Sequence, residues 1–316
     1  MDFKNRFDHD FYPFKNLAEI ERVRNITKED ILAMGGKHPN NPNIELEVVP
    51  DGDFELRMIT DMVQRIVDSD RYDQKCVMIM CNPNPTYAKV AYLLNALKVN
   101  MRNVKFYMMD EWADEDGNIA PLSYKAGFGY AFEKFMLNNI KDLGFKRENF
   151  IYHSAENTPA YSKMLEDDGE ADVVYSGPGW PAHLAFIDPV EDWFKPTMEE
   201  YLAQPAKVAK LHPLTIAQNS LHGGFGYSGD ISKVPPMGAM MGPRDAMKAK
   251  FVFDMHGITT AGSKVTWQRL TSRLCIFGEP SQEVPASILQ LRENPTKIHI
   301  SDTLAETIID HEIFQY

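Results

Sequence analysis

Apolar positions along the chain follow two spacings, which alternate from residue 44 onward. Short alternating or continuous apolar runs predict strands, in chain order at 44–49, 76–81, 104–109, 149–153, 171–176, 251–255 and 298–300. Apolar residues at every third or fourth position predict helices at 28–34, 53–67, 86–97, 124–140, 160–168 and 264–274. Strands that alternate with helices predict parallel βαβ units. The expected fold class is therefore α/β: a doubly wound, mostly parallel sheet with helices on both faces, in a single domain.

The first part of the chain does not share this alternation. Residues 1–44 contain one short helical pattern, for which Thr27 is the expected N-cap, followed by the loop GGKHPNNPN. We interpret 1–44 as an N-terminal extension that packs on the body or on a neighbouring subunit. Residues 45–316 then form the α/β domain, because no linker rich in proline or serine divides them.

Composition and charge exclude several classes of protein. Of 316 residues, 44% are hydrophobic and 25% are charged, which excludes wholesale disorder. The formal net charge of −12 would repel a phosphate backbone, so we expect no nucleic-acid partner. Three cysteines without a CxxC pair indicate neither a disulfide framework nor a zinc ribbon. The chain starts without an apolar signal region and has no run of about 18 apolar residues, so we expect a cytoplasmic protein without membrane contact.

An acidic pair follows the strand predicted at 104–109. Ligands in open parallel sheets bind beyond the carboxyl ends of the strands, where Asp110 and Glu111 are expected to lie. A carboxylate there is partly desolvated, which raises its pKa and suits a general base. The alternative is a structural acid that caps a helix.

A second candidate site follows the strand at 171–176. The stretch SGPGWPAHLAFIDP (176–189) carries a Gly-Pro-Gly turn, at which glycines allow the backbone to approach a ligand closely. His183 can donate or accept a proton near neutral pH, and Asp188 can orient it or hold it charged. The alternative is a loop histidine that hydrogen-bonds to the backbone.

Two further motifs have weaker implications. The segment GFGYSG (224–229) satisfies GxGxxG but lacks the strand–helix context of a dinucleotide site, so we interpret it as a mobile glycine-rich loop or lid. Lys264 opens a predicted helix after Gly262-Ser263, which is either an anion site or an ordinary loop with a solvated lysine. The histidines form no HxxxH or HExxH pattern, so we expect no metal.

These motifs together resemble a known family. A strand followed by MDE and an aromatic residue, then Ser123-Tyr124, is similar to the glucosamine-6-phosphate deaminase/isomerase family. The pattern GxG-three residues-HxAFxxP at 177–189 is similar too, as are the opening strand and helix from residue 44 and the segment SILQL near the C-terminus. Altered forms of the two main motifs also occur in the 6-phosphogluconolactonases and in sugar-sensing regulator domains.

The resemblance implies aldose–ketose isomerisation and loss of ammonia from an amino-sugar phosphate, in a homo-oligomer without an organic cofactor. Asp110 matches the base that moves a proton between C1 and C2, and His183 matches the histidine that assists ring opening. Asp188 stands where the family has a glutamate that supports this histidine. Lys264 matches a lysine that holds the phosphate.

The sequence departs from the family at three places. Pro181 replaces an acid that helps to open the ring, and Leu221 stands where the family has an arginine. The loop at 81–85 (CNPNP) replaces a Thr-Gly-Gly-Thr-Pro-like phosphate loop, and its prolines give no N–H. We therefore expect an altered substrate. The candidate substrate-binding residues are Glu111, Asn82, Asn84, Thr86, Gly177, Gly179 and Lys264, of which the asparagines and the threonine are neutral groups that suit hydroxyls.

Three functions remain open at this point. The first is an amino-sugar phosphate isomerase/deaminase, with Asp110, His183 and Asp188 in catalytic roles. The second is a sugar-phosphate lactonase or simple isomerase, which releases no ammonia. The third is a protein that binds a sugar or sugar phosphate without catalysis, which Pro181 favours.

Overall fold

The computed structural model describes residues 12–258 and 266–308. Their strands are β1 (Ile44–Val49), β2 (Cys76–Met80), β3 (Val104–Met108), β4 (Asp110–Ala113), β5 (Phe150–Ile151), β6 (Val173–Ser176), β7 (Lys207–Lys210), β8 (Met237–Met240), β9 (Val252–His256) and β10 (Thr296–Ser301). Their α-helices are α1 (Leu17–Arg24), α2 (Lys28–Ala33), α3 (Asp51–Tyr72), α4 (Thr86–Leu97), α5 (Phe128–Phe135), α6 (Tyr161–Asp167), α7 (Met198–Leu202), α8 (Pro213–Ser220), α9 (Pro243–Lys248), α10 (Gln268–Phe277) and α11 (Asp302–Ala305).

The larger sheet is parallel throughout, with seven strands in the order β1-β10-β9-β6-β2-β3-β5. Side chains of a strand alternate between the two faces, and in β2 they are buried on both. Val77 and Ile79 pack into one core, whereas Met78 and Met80 pack into the other. The continuous apolar run at this strand thus reflects its central position in the sheet.

Helices cover both faces of this sheet, which confirms the predicted fold class. One core includes side chains of α6, α9 and α10, and we call this side the α10 face. The other core includes side chains of α3, α4 and α5, and we call it the α4 face. No helix within 12–258 or 266–308 is both long enough and apolar enough to cross a membrane.

A second, smaller sheet was not predicted from the sequence. It is antiparallel, with the order β4-β8-β7, and Asp110 pairs with Met240 in it. Asp110 and Glu111 do follow the strand β3, as the sequence predicts, but they lie within a further strand, because the extended chain continues from β3 through Met109 into β4. The strands β7 (KVAK) and β8 (MGAM) were missed because runs of four residues show too little alternation.

The helix predicted at 124–140 is shorter in the structure. The α-helix α5 spans only Phe128–Phe135, and a separate 3₁₀ turn follows at Leu137–Asn139. Before α5, the N–H of Gly127 bonds to the carbonyl of Tyr124 in a turn. The apolar spacing of this region continues through the turn, so periodicity alone could not locate the start of the helix.

The segment 12–43 packs on the α/β body. Val23 of α1 and Ile31 of α2 are buried in the core of the α10 face. The guanidinium of Arg273 on α10 donates to the carbonyl of Ile26, and His38 Nε2 lies 2.6 Å from the carbonyl of Ile276. Thr27 caps α2 in a reciprocal capping box, as its sequence predicts.

Candidate active site

His183 is held by a buried acid. Its Nδ1 lies 2.8 Å from Oδ1 of Asp188, which also accepts a 2.8 Å hydrogen bond from the hydroxyl of Thr215. The second oxygen, Oδ2, accepts the backbone N–H of His212 at 2.7 Å. Because the carboxylate of Asp188 is fully buried and can only accept hydrogen bonds, we assign the ring proton of His183 to Nδ1. Nε2 is then the free base of the ring.

The backbone around His183 is strained. Ala182 and Ala185 adopt left-handed backbone conformations, with φ of 59° and 54°, which residues other than glycine rarely adopt. Gly179 lies against the imidazole, because a Cβ atom built there would be 2.1 Å from Nε2 of His183. Strain of this kind persists where surrounding contacts enforce it, often at functional sites. Here the contacts are those of a buried Asp188 and a closely packed glycine.

Asp110 and Glu111 are both buried but have different surroundings. Glu111 accepts backbone N–H groups from Trp112, Phe128 and Gly129 at 2.9, 3.1 and 2.8 Å, so it tethers the start of α5 to β4. Burial nevertheless raises the pKa of Glu111 to about 7. The carboxylate of Asp110 makes no hydrogen bond to any described residue.

The pKa of Asp110 is raised well above its ordinary value. Burial is the largest cause, and the charges of Glu111 and Asp188 add to it. Asp188 is thus one of the charges that act on the pKa of Asp110, after burial and Glu111. A carboxylate with few protein partners and a raised pKa has the properties of a general base.

Aromatic rings connect the two halves of the site. The ring of Trp112 in β4 lies 4.8 Å from Phe186, three residues after His183. Phe128 at the start of α5 and Phe225 also contact Trp112, with ring centroids at 5.3 and 5.4 Å. This cluster fixes β4, and hence Asp110, relative to the turn that carries His183.

The helix α8 contributes residues that the sequence analysis missed. Thr215 and Gln218 lie on one side of it, and both contact the 177–188 segment: Thr215 through Asp188, and Gln218 by accepting the N–H of Trp180 at 2.5 Å. Two polar residues three positions apart, Thr215 and Gln218, indicate a polar side of a helix. This indication depends on first predicting the helix α8, which was not predicted from the sequence.

A buried polar network ties β6 to β9 at the same end of the sheet. Ser176 donates to Oδ1 of Asp254 at 2.7 Å, and Nε2 of His256 lies 2.7 Å from Oδ2. All three residues are buried, and Nδ1 of His256 has no partner in the part of the chain that the structure describes. This network was not predicted from the sequence, because Asp254 falls within the strand predicted at 251–255 and His256 directly follows it.

The loop before α4 uses most of its polar groups locally. Asn84 Oδ1 accepts the N–H of Thr86 at 2.9 Å, and the Thr86 hydroxyl bonds to Glu55. The N–H groups of Tyr87 and Ala88 bond to carbonyls of the same loop. The start of α4 therefore offers few free donors to an anion. Asn82 differs, because its side-chain amide bonds to no described residue.

The remaining predicted binding residues are placed as follows. A Cβ atom at Gly177 would lie 2.5 Å from the carbonyl oxygen of Met255, so this glycine permits close packing of β6 against β9. Gly179 leaves room for the imidazole of His183. The carboxylate of Glu111 accepts three backbone N–H groups. Lys264 and the preceding Gly262-Ser263 lie outside the described residues.

No family model matches the sequence. The chain is 23% identical over 204 residues to a glucosamine-6-phosphate deaminase from Caenorhabditis elegans, over 63% of this chain and 69% of that protein. It is 27% identical over 164 residues to the deaminase of Aliivibrio salmonicida, over 51% of this chain and 54% of that protein. With glucosamine-6-phosphate deaminase 2 of Giardia intestinalis it shares 25% identity over 238 residues, 72% of this chain and 80% of the relative.

The chain is a divergent relative of the glucosamine-6-phosphate deaminases. The resemblance drawn from the MDE and HxAFxxP motifs is thereby confirmed. A solved monomeric glucosamine-6-phosphate deaminase has the same fold, with a TM-score of 0.61 and 16% identity over 83% of this chain and 98% of that one. A 6-phosphogluconolactonase from Thermotoga maritima shares the fold too, with a TM-score of 0.57 and 13% identity over 82% of this chain and 100% of that one.

Proposed function

We propose that this protein is an enzyme that isomerises and deaminates an amino-sugar phosphate of the glucosamine 6-phosphate type. The observation that carries the proposal is a pair of groups near the carboxyl ends of the strands: Asp110, which is buried and bonds to no described residue, and His183, which is held by Asp188. The deaminase relatives support the same chemistry. We further propose that it acts in the cytoplasm as a homo-oligomer.

The residues fit the steps of this reaction. Nε2 of His183 exchanges a proton with the ring oxygen as the sugar opens. Asp110 then removes the proton from C2 and returns it to C1, while a proton passes from the C2 amine to O1, which converts the amino aldose into an imine at C2. Water hydrolyses that imine to the ketose phosphate and ammonia. The raised pKa of Asp110 matches its base strength to proton abstraction next to a carbonyl-type carbon.

The phosphate end of the substrate is the part that we expect to differ from the family. Pro85 precedes α4, and the first N–H groups of that helix are bonded within the loop. Asn82 is left as a neutral side chain for ligand contact, and Lys264 remains the proposed cation for the phosphate. A hydroxyl-rich or substituted sugar would suit Asn82 better than a second anion would.

The test is ammonia release from glucosamine 6-phosphate by the wild-type protein, by Asp110→Asn and by Asp116→Asn. Asp116 is an exposed acid six residues further along, and it serves as a control for the same substitution. We expect release from the wild type and the control and at least a hundredfold loss in Asp110→Asn. Equal rates in all three proteins would rule out Asp110 as the base.

A lactonase is the second candidate, because His183 with Asp188 suffices to activate a water molecule and 6-phosphogluconolactonases share the fold. Hydrolysis of 6-phosphogluconolactone, without ammonia release from glucosamine 6-phosphate, would favour this function. Saturable sugar binding without either turnover would favour the non-catalytic alternative that Pro181 suggests.

A further inference from the structure

His222 follows the helix α8 and has no role in the mechanism above. It lies seven residues after Thr215, and seven residues are two turns of a helix, so both fall on the same side of α8. Leu221, the C-cap, has φ of −92° and ψ of 1°, so the chain keeps a near-helical course up to His222. The side of α8 that bears Thr215 is the one that contacts the site.

Contacts of α8 establish which way this side faces. The hydroxyl of Thr215 lies 3.2 Å from Nδ1 of His183, and Gln218 accepts the N–H of Trp180. Both partners belong to the turn between β6 and Asp188. Because Thr215, Gln218 and His222 share one side, His222 continues a polar strip that begins at His183.

The turn after His222 is firmly placed. The carbonyl of His222 accepts the N–H groups of Phe225 and Tyr227, both at 3.1 Å. Phe225 in turn packs edge-on against Trp112, next to the segment that carries Asp110. The polar strip of α8 is thus fixed at one end by Asp188 and at the other by Trp112, the two residues that frame the site.

The imidazole of His222 is available for a ligand. It is only partly exposed, and it makes no hydrogen bond to any described residue. Burial and the neighbouring charge of His183 lower the pKa of His222, so the ring is neutral at neutral pH. A neutral imidazole offers one donor and one acceptor, which matches a hydroxyl group.

The charges nearby point to the same kind of ligand group. Residues 213–232 contain no lysine or arginine, and the acids Asp110, Glu111 and Asp188 lie in the adjoining half of the site. The segment 213–232 therefore contributes no cation that would attract a phosphate. It suits the uncharged, hydroxyl-bearing part of a sugar.

We propose that His222 is a substrate-binding residue of this site, which recognises a hydroxyl group on the carbon chain of the sugar and so determines specificity. The inference rests on the proposed function and names a contact that the reaction itself does not require. His222 is thus expected to affect substrate affinity, whereas Asp110 and His183 affect the chemical step.

The test compares His222→Phe, which keeps an aromatic ring without polar atoms, with His222→Gln, which keeps a donor and an acceptor. Ser228→Ala is the control: among the described residues, Ser228 bonds within its own loop alone, to the carbonyl of Phe225 and to the N–H of Asp230. The substrates are glucosamine 6-phosphate and its 3-deoxy and 4-deoxy analogues. For His222→Phe we expect KM to rise about tenfold with kcat within about twofold, for His222→Gln a smaller rise, and for Ser228→Ala none.

The deoxy analogues identify the contact. One of them should bind the wild type about tenfold more weakly, and His222→Phe should then lose nothing further with that analogue. An unchanged KM in His222→Phe, or an equal loss with every analogue and in Ser228→Ala, would overturn the proposal.

Turnover and binding separate this inference from the proposed function. If the wild type binds glucosamine 6-phosphate in calorimetry without releasing ammonia, the proposed deaminase activity fails, and the same comparison proceeds with dissociation constants. If ammonia is released but His222→Phe binds and reacts as the wild type does, only the role of His222 fails.

Discussion

Gly179 lies directly against the imidazole of His183, at a distance that leaves no room for a side chain. A Cβ atom at position 179 would be 2.1 Å from Nε2, well inside van der Waals contact. Gly179 is not among the residues with positive φ, so the obstacle to alanine is the ring and not the backbone. The glycine thus leaves room for Nε2 of His183 at this position.

Gly179→Ala is therefore expected to displace the His183 ring and to lower kcat/KM at least a hundredfold. Gly52→Ala is the control, because Gly52 also lacks a positive φ and a Cβ there would meet nothing within 4 Å. Circular dichroism of both variants should match the wild type. Full activity in Gly179→Ala would show that Nε2 of His183 is not the reacting atom.

The tautomer of His183 depends on Asp188. In Asp188→Asn the amide can donate to Nδ1, which moves the ring proton to Nε2 and removes the free base. We expect a loss of about a hundredfold to ten-thousandfold in kcat. Thr215→Val removes one donor to Asp188 while keeping the shape of the side chain, and it should lose only about tenfold. Equal losses in the two variants would contradict this order.

The fold was predictable where periodicity is strong. The helix α4 and the strand β1 have the bounds that their apolar spacing predicts, since α4 buries one regular side and the first residues of β1 alternate between buried and exposed positions. The antiparallel sheet was not predictable, because β8 pairs with β4 and β7 pairs with β8, and both strands gain their stability from these pairings and not from their own composition. Such short strands depend on tertiary contacts that a local window of sequence does not contain.

Of the candidate site, only the residues that follow predicted strands or belong to recognisable motifs could be predicted. Asp110, His183 and Asp188 follow strands that the pattern identifies, so their common location could be inferred. The contribution of Thr215 could not, because α8 is far along the chain and reaches Asp188 only through the fold. The hydrogen bond from the Thr86 hydroxyl to Glu55 could not be predicted for the same reason, because Glu55 lies on another helix, α3.

Glu111 is expected to make the stability of the protein depend on pH. Its pKa is about 7 in the folded protein against an ordinary value of 4.5, so the folded state holds the proton more tightly than the unfolded state. Its stabilising contribution is complete below about pH 4.5 and is lost as the pH rises through about 7. The loss is on the order of 3 kcal/mol. Urea unfolding between pH 4.5 and 8 should show a flatter dependence in Glu111→Gln than in Asp116→Asn.

The same substitution is expected to shift the pH profile of activity. The charge of Glu111 raises the pKa of Asp110, so its removal in Glu111→Gln lowers that pKa. The acid limb of kcat/KM, which reports ionisation of the base, should then move to lower pH. An acid limb that stays in place would mean that another group limits the rate.

The network of Ser176, Asp254 and His256 gives a test of buried polar groups in this fold. Asp254→Val leaves the hydroxyl of Ser176 and Nε2 of His256 buried without their acceptor, since both bond to this carboxylate. We expect a loss of about 3–5 kcal/mol in the free energy of unfolding, measured in urea. The triple variant that adds Ser176→Ala and His256→Leu removes both orphaned groups, and it should recover at least half of that loss, because an apolar replacement of a whole polar network costs less than breaking it. A triple variant less stable than Asp254→Val would show that the side chains of Ser176 and His256 stabilise the ends of β6 and β9 through contacts other than the carboxylate.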